Sequence, residues 1–502
     1  MSVLASYLRG AGALTGQAIF QRLLGAASSI VLARGLGVAG FGAYSAVVYT
    51  ASSAFGMVKL GVDTAIHVYA ARAKGDPADN HVTGQLLGAG LSVLAAGGVV
   101  ASVVIAVGAN WLAEAVFGDP SLAALLRSAG LLTALQCLIQ FGHSVLAGFQ
   151  EFSVYARRMV VGSVVVLVLS ATGMWVYGLP GALTGYGLSQ FALAVSLGYA
   201  AARAMRARKI SMSLARPGRA ITSLMRLGLP FYGSGLVAIP VFYYLQGLLS
   251  RSAGVESLGL LRVIATLTTI VAFVPGSVAA VTTSSLTRLR AEQGTRESKV
   301  YDYAILNVKA IWYLTTVSAV VLAIFTPLLV SLVFGPAYAS AIEPGMVALF
   351  ATAFSTTAAA AGSLFFAMER SGIIFWQYVL QSLVLAVVGL IAIPAMGLLG
   401  YVSAELAGNA VGLAFVLSVV ARVSGDGWIR NGHAWAFGLS TFASIAAIVV
   451  VGCFELHLRV LSLALTLALM TLGLWRFGLS DWEVSVTKDM ISQFRRLRSE
   501  RS

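Results

Sequence analysis

Among the ionisable side chains inside long apolar runs of the chain are Arg22, Lys59, Arg127 and Arg262 on the basic side and Asp63 and Glu405 on the acidic side. A charge within a hydrocarbon-spanning segment costs from about 2.5 to more than 10 kcal/mol by different measures, so it persists where it faces a watery cavity, finds a partner or reaches the interface. Guanidinium and ammonium groups match phosphate and carboxylate oxygens, and low dielectric strengthens that attraction. Arg22, Lys59, Arg127 and Arg262 are therefore candidate anion-binding residues. Asp63 and Glu405 are candidates for reversible uptake of a proton or a sodium ion.

The surroundings differ from residue to residue. Arg22 falls near the middle of its run, among Gln17, Gln21, Ser28 and Ser29, too deep for easy snorkelling. Lys59 and Asp63 are four apart, and Ser45 and Ser52 extend the Lys59 face at seven-residue steps, so a polar stripe competes with a purely local ion pair. Arg262 shares its face with Thr266, Thr269, Ser277 and Ser284. Arg127 stands near the outer end of its run, on a face different from that of Gln136, Gln140 and His143, which favours snorkelling. A histidine such as His143 can titrate near neutrality, but a hydrogen-bonded structural role is the favoured reading. Glu405 and Asn409 are again four apart.

The elements that must hold these groups are membrane spans. Hydrophobic residues make up 58% of the 502 residues and charged residues only 10%, and the mean hydropathy is +0.88, far from a soluble domain. A helix needs about 20 apolar residues to cross the hydrocarbon layer. Such runs occur near 12–34, 41–63, 84–108, 122–149, 159–178 and 181–202, then near 227–249, 257–284, 308–332, 345–368, 373–394 and 397–421, and finally near 434–454 and 460–479. About fourteen transmembrane helices are expected in an all-α polytopic protein. The first run is too long for a cleavable signal and should be retained.

Loop charge sets the orientation. With the N-terminus inside, the inner loops hold the segment Arg203 to Arg226, with seven cations and no acid, and most other loop cations, whereas the outer loops hold Arg34, Arg251 and Arg459. Both termini are then cytoplasmic. The net charge of +14 reads as a topology signal and as contact with anionic lipids rather than with nucleic acid. The expected organisation is an N-terminal lobe at 1–202, a basic linker at 203–226, a C-terminal lobe at 227–425, two further helices at 426–480, and a basic amphipathic tail at 481–502.

An internal repeat supports the two lobes. Arg34, Gly37, Val38 and Gly42 recur 217 positions later as Arg251, Gly254, Val255 and Gly259, and Val116-Phe117-Gly118 recurs as Val333-Phe334-Gly335 at the same offset. Gly178-Leu179-Pro180-Gly181 recurs as Gly397-Leu398-Leu399-Gly400, 219 positions on. Six spans per copy run the same way, so the copies should be related by a pseudo-two-fold along the membrane normal.

The segments Leu32-Ala33-Arg34-Gly35-Leu36-Gly37, Phe41-Gly42-Ala43-Tyr44, Gly61-Val62-Asp63-Thr64-Ala65, Phe334-Gly335-Pro336-Ala337-Tyr338 and Gly397-Leu398-Leu399-Gly400-Tyr401, in that order, resemble the Wzx-type polysaccharide flippases of the multidrug/oligosaccharidyl-lipid/polysaccharide (MOP) superfamily. The resemblance implies a MATE-like two-lobed bundle working by alternating access in the bacterial inner membrane. Its cargo would be an oligosaccharide on a carrier of the undecaprenyl pyrophosphate type, moved to the outer leaflet for polysaccharide synthesis, with a polysaccharide polymerase and export machinery as partners. Gly35 to Phe41 contains no charged residue, unlike the charged signature of the peptidoglycan-precursor branch.

Other classes find less support. The chain has no GxxxxGK[ST] phosphate loop, its five histidines lack metal-ligand spacing, and Cys137 and Cys453 both sit in apolar runs. No cofactor and no enzymatic activity are expected, beyond proton or sodium coupling. The alternatives are a cation-coupled multidrug antiporter of the same superfamily, which would call for carboxylates inside the lobes, and a membrane glycosyltransferase or polymerase, which would call for larger loops.

Overall fold

The computed structural model describes residues 3–72, 77–213, 217–272, 297–368 and 370–424. They are almost entirely helical: α1 (Val3–Val58), α2 (Val62–Arg72), α3 (Pro77–Trp111), α4 (Ala123–Gly148), α5 (Phe152–Ala207), α6 (Pro217–Ala253), α7 (256–272), α8 (Glu297–Leu329), α9 (Ile342–Ala367) and α10 (Ser371–Ser424). Among the described residues, eight helical stretches are long and apolar enough to cross a membrane. Three of these helices, α1, α5 and α10, have 56, 56 and 54 residues, about twice what one crossing needs. Each is two spans joined through a glycine, so all twelve runs of the two sequence copies fall on helices, the eighth only in its first part. The runs at 434–454 and 460–479, the tail at 481–502, and Ser277 and Ser284 lie outside the described residues.

The repeat has a physical cause in those joints. Gly37 and Gly254, Gly118 and Gly335, and Gly178 and Gly397 all have positive φ, from 56° to 105°. They are the equivalent pairs of the sequence repeat, and each reverses the chain between two spans at the end that the charge distribution assigns to the outside. A side chain with a Cβ is strained in that region of φ, whereas glycine is not. Gly118 and Gly335 also follow equivalent π-helical turns, Leu112–Phe117 and Val330–Phe334.

The chain divides into two compact units. Of the described residues, the first holds those within Met1–Thr269, Val330–Ala341 and Ser382–Ala404, and the second those within 270–329, 342–381 and 405–424. Within the first unit the repeat copies lock reciprocally. Arg34 donates from Nε to the carbonyl of Val333 at 2.8 Å and from Nη2 to that of Leu332, while Arg251, its repeat equivalent, donates to the carbonyl of Ala115 at 3.0 Å. Ala115 and Leu332 are themselves 217 apart, so each arginine caps the π-turn of the other copy. Gly42 packs on the carbonyl of Val255, and Gly259 on that of Val38, again as equivalents. Tyr338 adds a hydroxyl donation to Ala33 at 2.7 Å.

Small-residue pairs elsewhere act as packing surfaces. Gly84 and Gly88 admit the backbone of Ser211 and Ser213, and Gly181 and Gly185 admit that of Gly173 and Leu169 within the α5 hairpin. The second unit is organised by apolar contacts between α8, α9 and the two ends of α10, with Trp312 edge-on to Phe354 at 5.1 Å.

Valine at Gly42 or Gly259 would press on backbone that cannot swing away. Each substitution should destabilise the protein by about 1–3 kcal/mol, measured as a lower unfolding temperature in detergent. Gly198→Ala, where a Cβ meets nothing within 4 Å, should leave that temperature unchanged or raise it.

Candidate functional site

Arg22 and Arg262, from α1 and α7, line one cavity of about 280 Å³ in the first unit. The helices belong to different copies of the repeat. At 1.5 Å per residue, Arg262 lies about 12 Å and Arg22 about 22 Å along their helices from the glycine turns at Gly254 and Gly37, well inside a layer of about 30 Å. Ser29, Thr266 and Thr269 add hydroxyls, and Gly25, Ala26 and Ala265 leave the space open. Thr266 and Thr269 donate to the carbonyls of Arg262 and Ala265 at 3.0 and 2.8 Å, which leaves their oxygens able to accept. No carboxylate is among the lining residues.

Aromatic groups hold Arg262. Its guanidinium lies 5.9 Å from the centre of the Tyr49 ring, within reach of a cation–π interaction. The hydroxyls of Tyr44 and Tyr186 lie within its electrostatic range, and the two rings meet edge to face at 6.1 Å.

Lys59 and Asp63 form a second cluster, at a break in the helix. Leu60 and Gly61 have φ of 47° and 72°, which ends α1 and starts α2, and Gly61 and Gly228 pack backbone to backbone. Across the break the Lys59 ammonium still meets Asp63 at 3.3 Å, the local pairing that the spacing allows. Gln140 donates to the same carboxylate oxygen at 3.3 Å, and Lys59 lies 5.9 and 5.8 Å from the Phe55 and Tyr232 ring centres. His143 stacks on Tyr155 at 4.4 Å.

The remaining candidates stand apart. Arg127 is exposed near the start of α4 and reaches Asn110 at 3.5 Å, away from the Arg22 cavity. Glu405 is half-buried on α10 in the second unit. Its neighbour Asn409 donates to the carbonyl of Ala351 at 2.9 Å and accepts from Gln381. Sequence reasoning missed Tyr44, Tyr49 and Tyr186 because tyrosine in an apolar run raises no alarm. It also missed Gln190, a neutral amide deep in a span, because no charged residue stands near it in the sequence to draw attention to its face.

Known structures share this architecture. The lipid II flippase MurJ, in an inward-closed conformation, matches over 92% of this chain and 98% of its own, with a TM-score of 0.68 and 13% identity. An inward-facing multidrug resistance MATE transporter of the MOP superfamily matches over 82% and 98%, with a TM-score of 0.66 and 17% identity. A MOP superfamily transporter from Pyrococcus furiosus, described as having a binding pocket of reversed polarity that suggests a different function, matches over 84% and 95%, at 0.59 and 16%. No curated protein sequence matches the chain. The fold is the one these structures share, and among the described residues it is almost entirely helical, with eight stretches long and apolar enough to cross a membrane. Residues 7–286 match the model of the polysaccharide biosynthesis protein family, and the chain belongs to that family.

Two guanidiniums facing one cavity should attract a divalent anion. Millimolar inorganic pyrophosphate should raise the unfolding temperature of the purified protein, and Arg22→Ala or Arg262→Ala should remove the increase. An equal increase in the variants would show that the anion binds elsewhere.

Proposed function

We propose that this protein is a secondary transporter that flips a polyprenyl-pyrophosphate-linked oligosaccharide from the inner to the outer leaflet of the bacterial inner membrane. The observation that carries the reading is the shared cavity of Arg22 and Arg262, with no carboxylate among its lining residues. Bidentate guanidinium groups suit phosphate oxygens, and water excluded by the bound cargo would strengthen the attraction. Membership of a polysaccharide biosynthesis family and similarity to a lipid II flippase favour a sugar-bearing lipid as the anion. Lobes at 1–202 and 227–425 would alternate between inward and outward access, with both termini cytoplasmic. The cations of 203–226 would meet anionic lipids, and a polymerase and export machinery would take the product.

Lys59 would give a further contact to the passing anion, and Arg127 one near the outer surface. Asp63, already held between Lys59 and Gln140, is the first coupling candidate, because protonation would release Lys59. Glu405 is the second. A multidrug antiporter shares the fold, but a cationic drug would meet two arginines in the cavity. The polarity of the pocket therefore favours the lipid-linked anion, and the same property was read as a functional guide in the Pyrococcus furiosus transporter.

The test is leaflet accessibility of lipid-linked sugar in cells lacking the protein, complemented with wild type, Arg22→Ala or Arg262→Ala. Loss of one charge-assisted contact, about 1.5–3 kcal/mol, should slow outward transfer by roughly 10- to 100-fold at unchanged protein level. Normal transfer without the protein, with reduced efflux of cationic drugs, would replace this reading by the antiporter.

A further inference from the structure

A second cavity, of about 210 Å³, lies within the first repeat copy, between α1, α4 and α5. Its polar lining is neutral: Gln21, Gln136, Gln140, Gln190 and Ser163, with the ring of Phe55 beside them. Neither a cation nor a carboxylate lines it, so it offers a phosphate no countercharge and a metal ion no anionic ligand. Four primary amides present donors and acceptors together, which is what a polyhydroxylated neutral group needs. An aromatic face beside them can cover the C–H side of a pyranose ring.

These amides are only partly engaged by the protein. The buried Oε1 of Gln136 has no hydrogen-bond partner, and the side chain lies beside Tyr186. Gln190, 9% exposed, lies beside the same tyrosine. A buried acceptor left open costs about 1–3 kcal/mol, a cost that a donor from a ligand removes. Tyr186 also feels Arg262. Tyr186 thus stands between the amides and Arg262, and Gln21 adjoins Arg22 in the chain. On α1 the two cavities are one residue apart.

We infer that the glutamine-lined cavity between α1, α4 and α5 is a sugar subsite, which takes a neutral hexose or N-acetylhexosamine of the cargo while Arg22 and Arg262 hold its phosphates. The inference rests on the lipid-linked cargo proposed above and adds the selection of its glycan. Gln136 and Gln190 are the specificity-determining residues, Gln136 through its open carbonyl oxygen and Gln190 from the facing helix.

The test uses the full-length protein in nanodiscs and four probes: a short polyprenyl pyrophosphate, bare or carrying glucose, galactose or N-acetylglucosamine. Wild type should bind at least one sugar-bearing probe about tenfold more tightly than the bare carrier, the equivalent of one or two added hydrogen bonds. Gln136→Leu and Gln190→Leu should each reduce that preference severalfold while keeping wild-type affinity for the bare carrier, which also certifies that they fold. Equal binding of all four probes by wild type would overturn the sugar subsite and leave the flippase reading intact. A preference that survives both substitutions would overturn the assignment to this cavity. If no probe binds at all, the proposed cargo itself fails, and the subsite with it.

Discussion

The cost of placing two guanidinium groups at mid-depth in a bilayer constrains the rest of this molecule. Arginine cannot lose its charge, so Arg22 and Arg262 demand polar surroundings. Those surroundings are a cavity with hydroxyls on its walls and an aromatic ring against Arg262. Like charges facing one space also repel, and a bound anion relieves that repulsion. A site of this kind favours negative cargo by its polarity alone, before any detail of shape. It also explains the small residues at Gly25, Ala26 and Ala265, since larger ones would close the space in which the charges are hydrated.

Holding those helices in place falls to the glycine turns and the reciprocal arginine caps. A π-turn leaves carbonyls poorly used by the helix ladder, and Arg34 and Arg251 supply the donors, each to the other copy. The caps join the two copies at the end where the loops are shortest. An even number of spans per copy brings equivalent turns to the same end, so one local solution serves twice. The duplicated segments are therefore best understood as duplicated physical requirements: positive φ, close backbone approach and capped carbonyls.

Much of this was legible in the chain. The apolar runs located the described crossings, and the repeated glycines marked the reversals, because glycine alone enters that backbone region without strain. The convergence of Arg22 and Arg262 was not legible, although each had been singled out, because their sequence separation carries no information about which helices touch. The break at Leu60-Gly61 was hidden inside an apolar run, and Lys59 and Asp63 pair across it as they would on a continuous helix. The grouping of neutral amides such as Gln136 and Gln190 was the least visible, since it exists only once three helices bring them together.

The most direct measurement is native mass spectrometry of the protein extracted from its own membrane with bound lipid retained. An anionic cargo held by the arginine pair predicts a co-purified species with the mass of a polyprenyl pyrophosphate bearing sugar. That species should be absent from the Arg22→Glu, Arg262→Glu double variant at equal protein recovery. Retention of the same species by the double variant, or the recovery of only neutral or cationic molecules with wild type, would contradict the account.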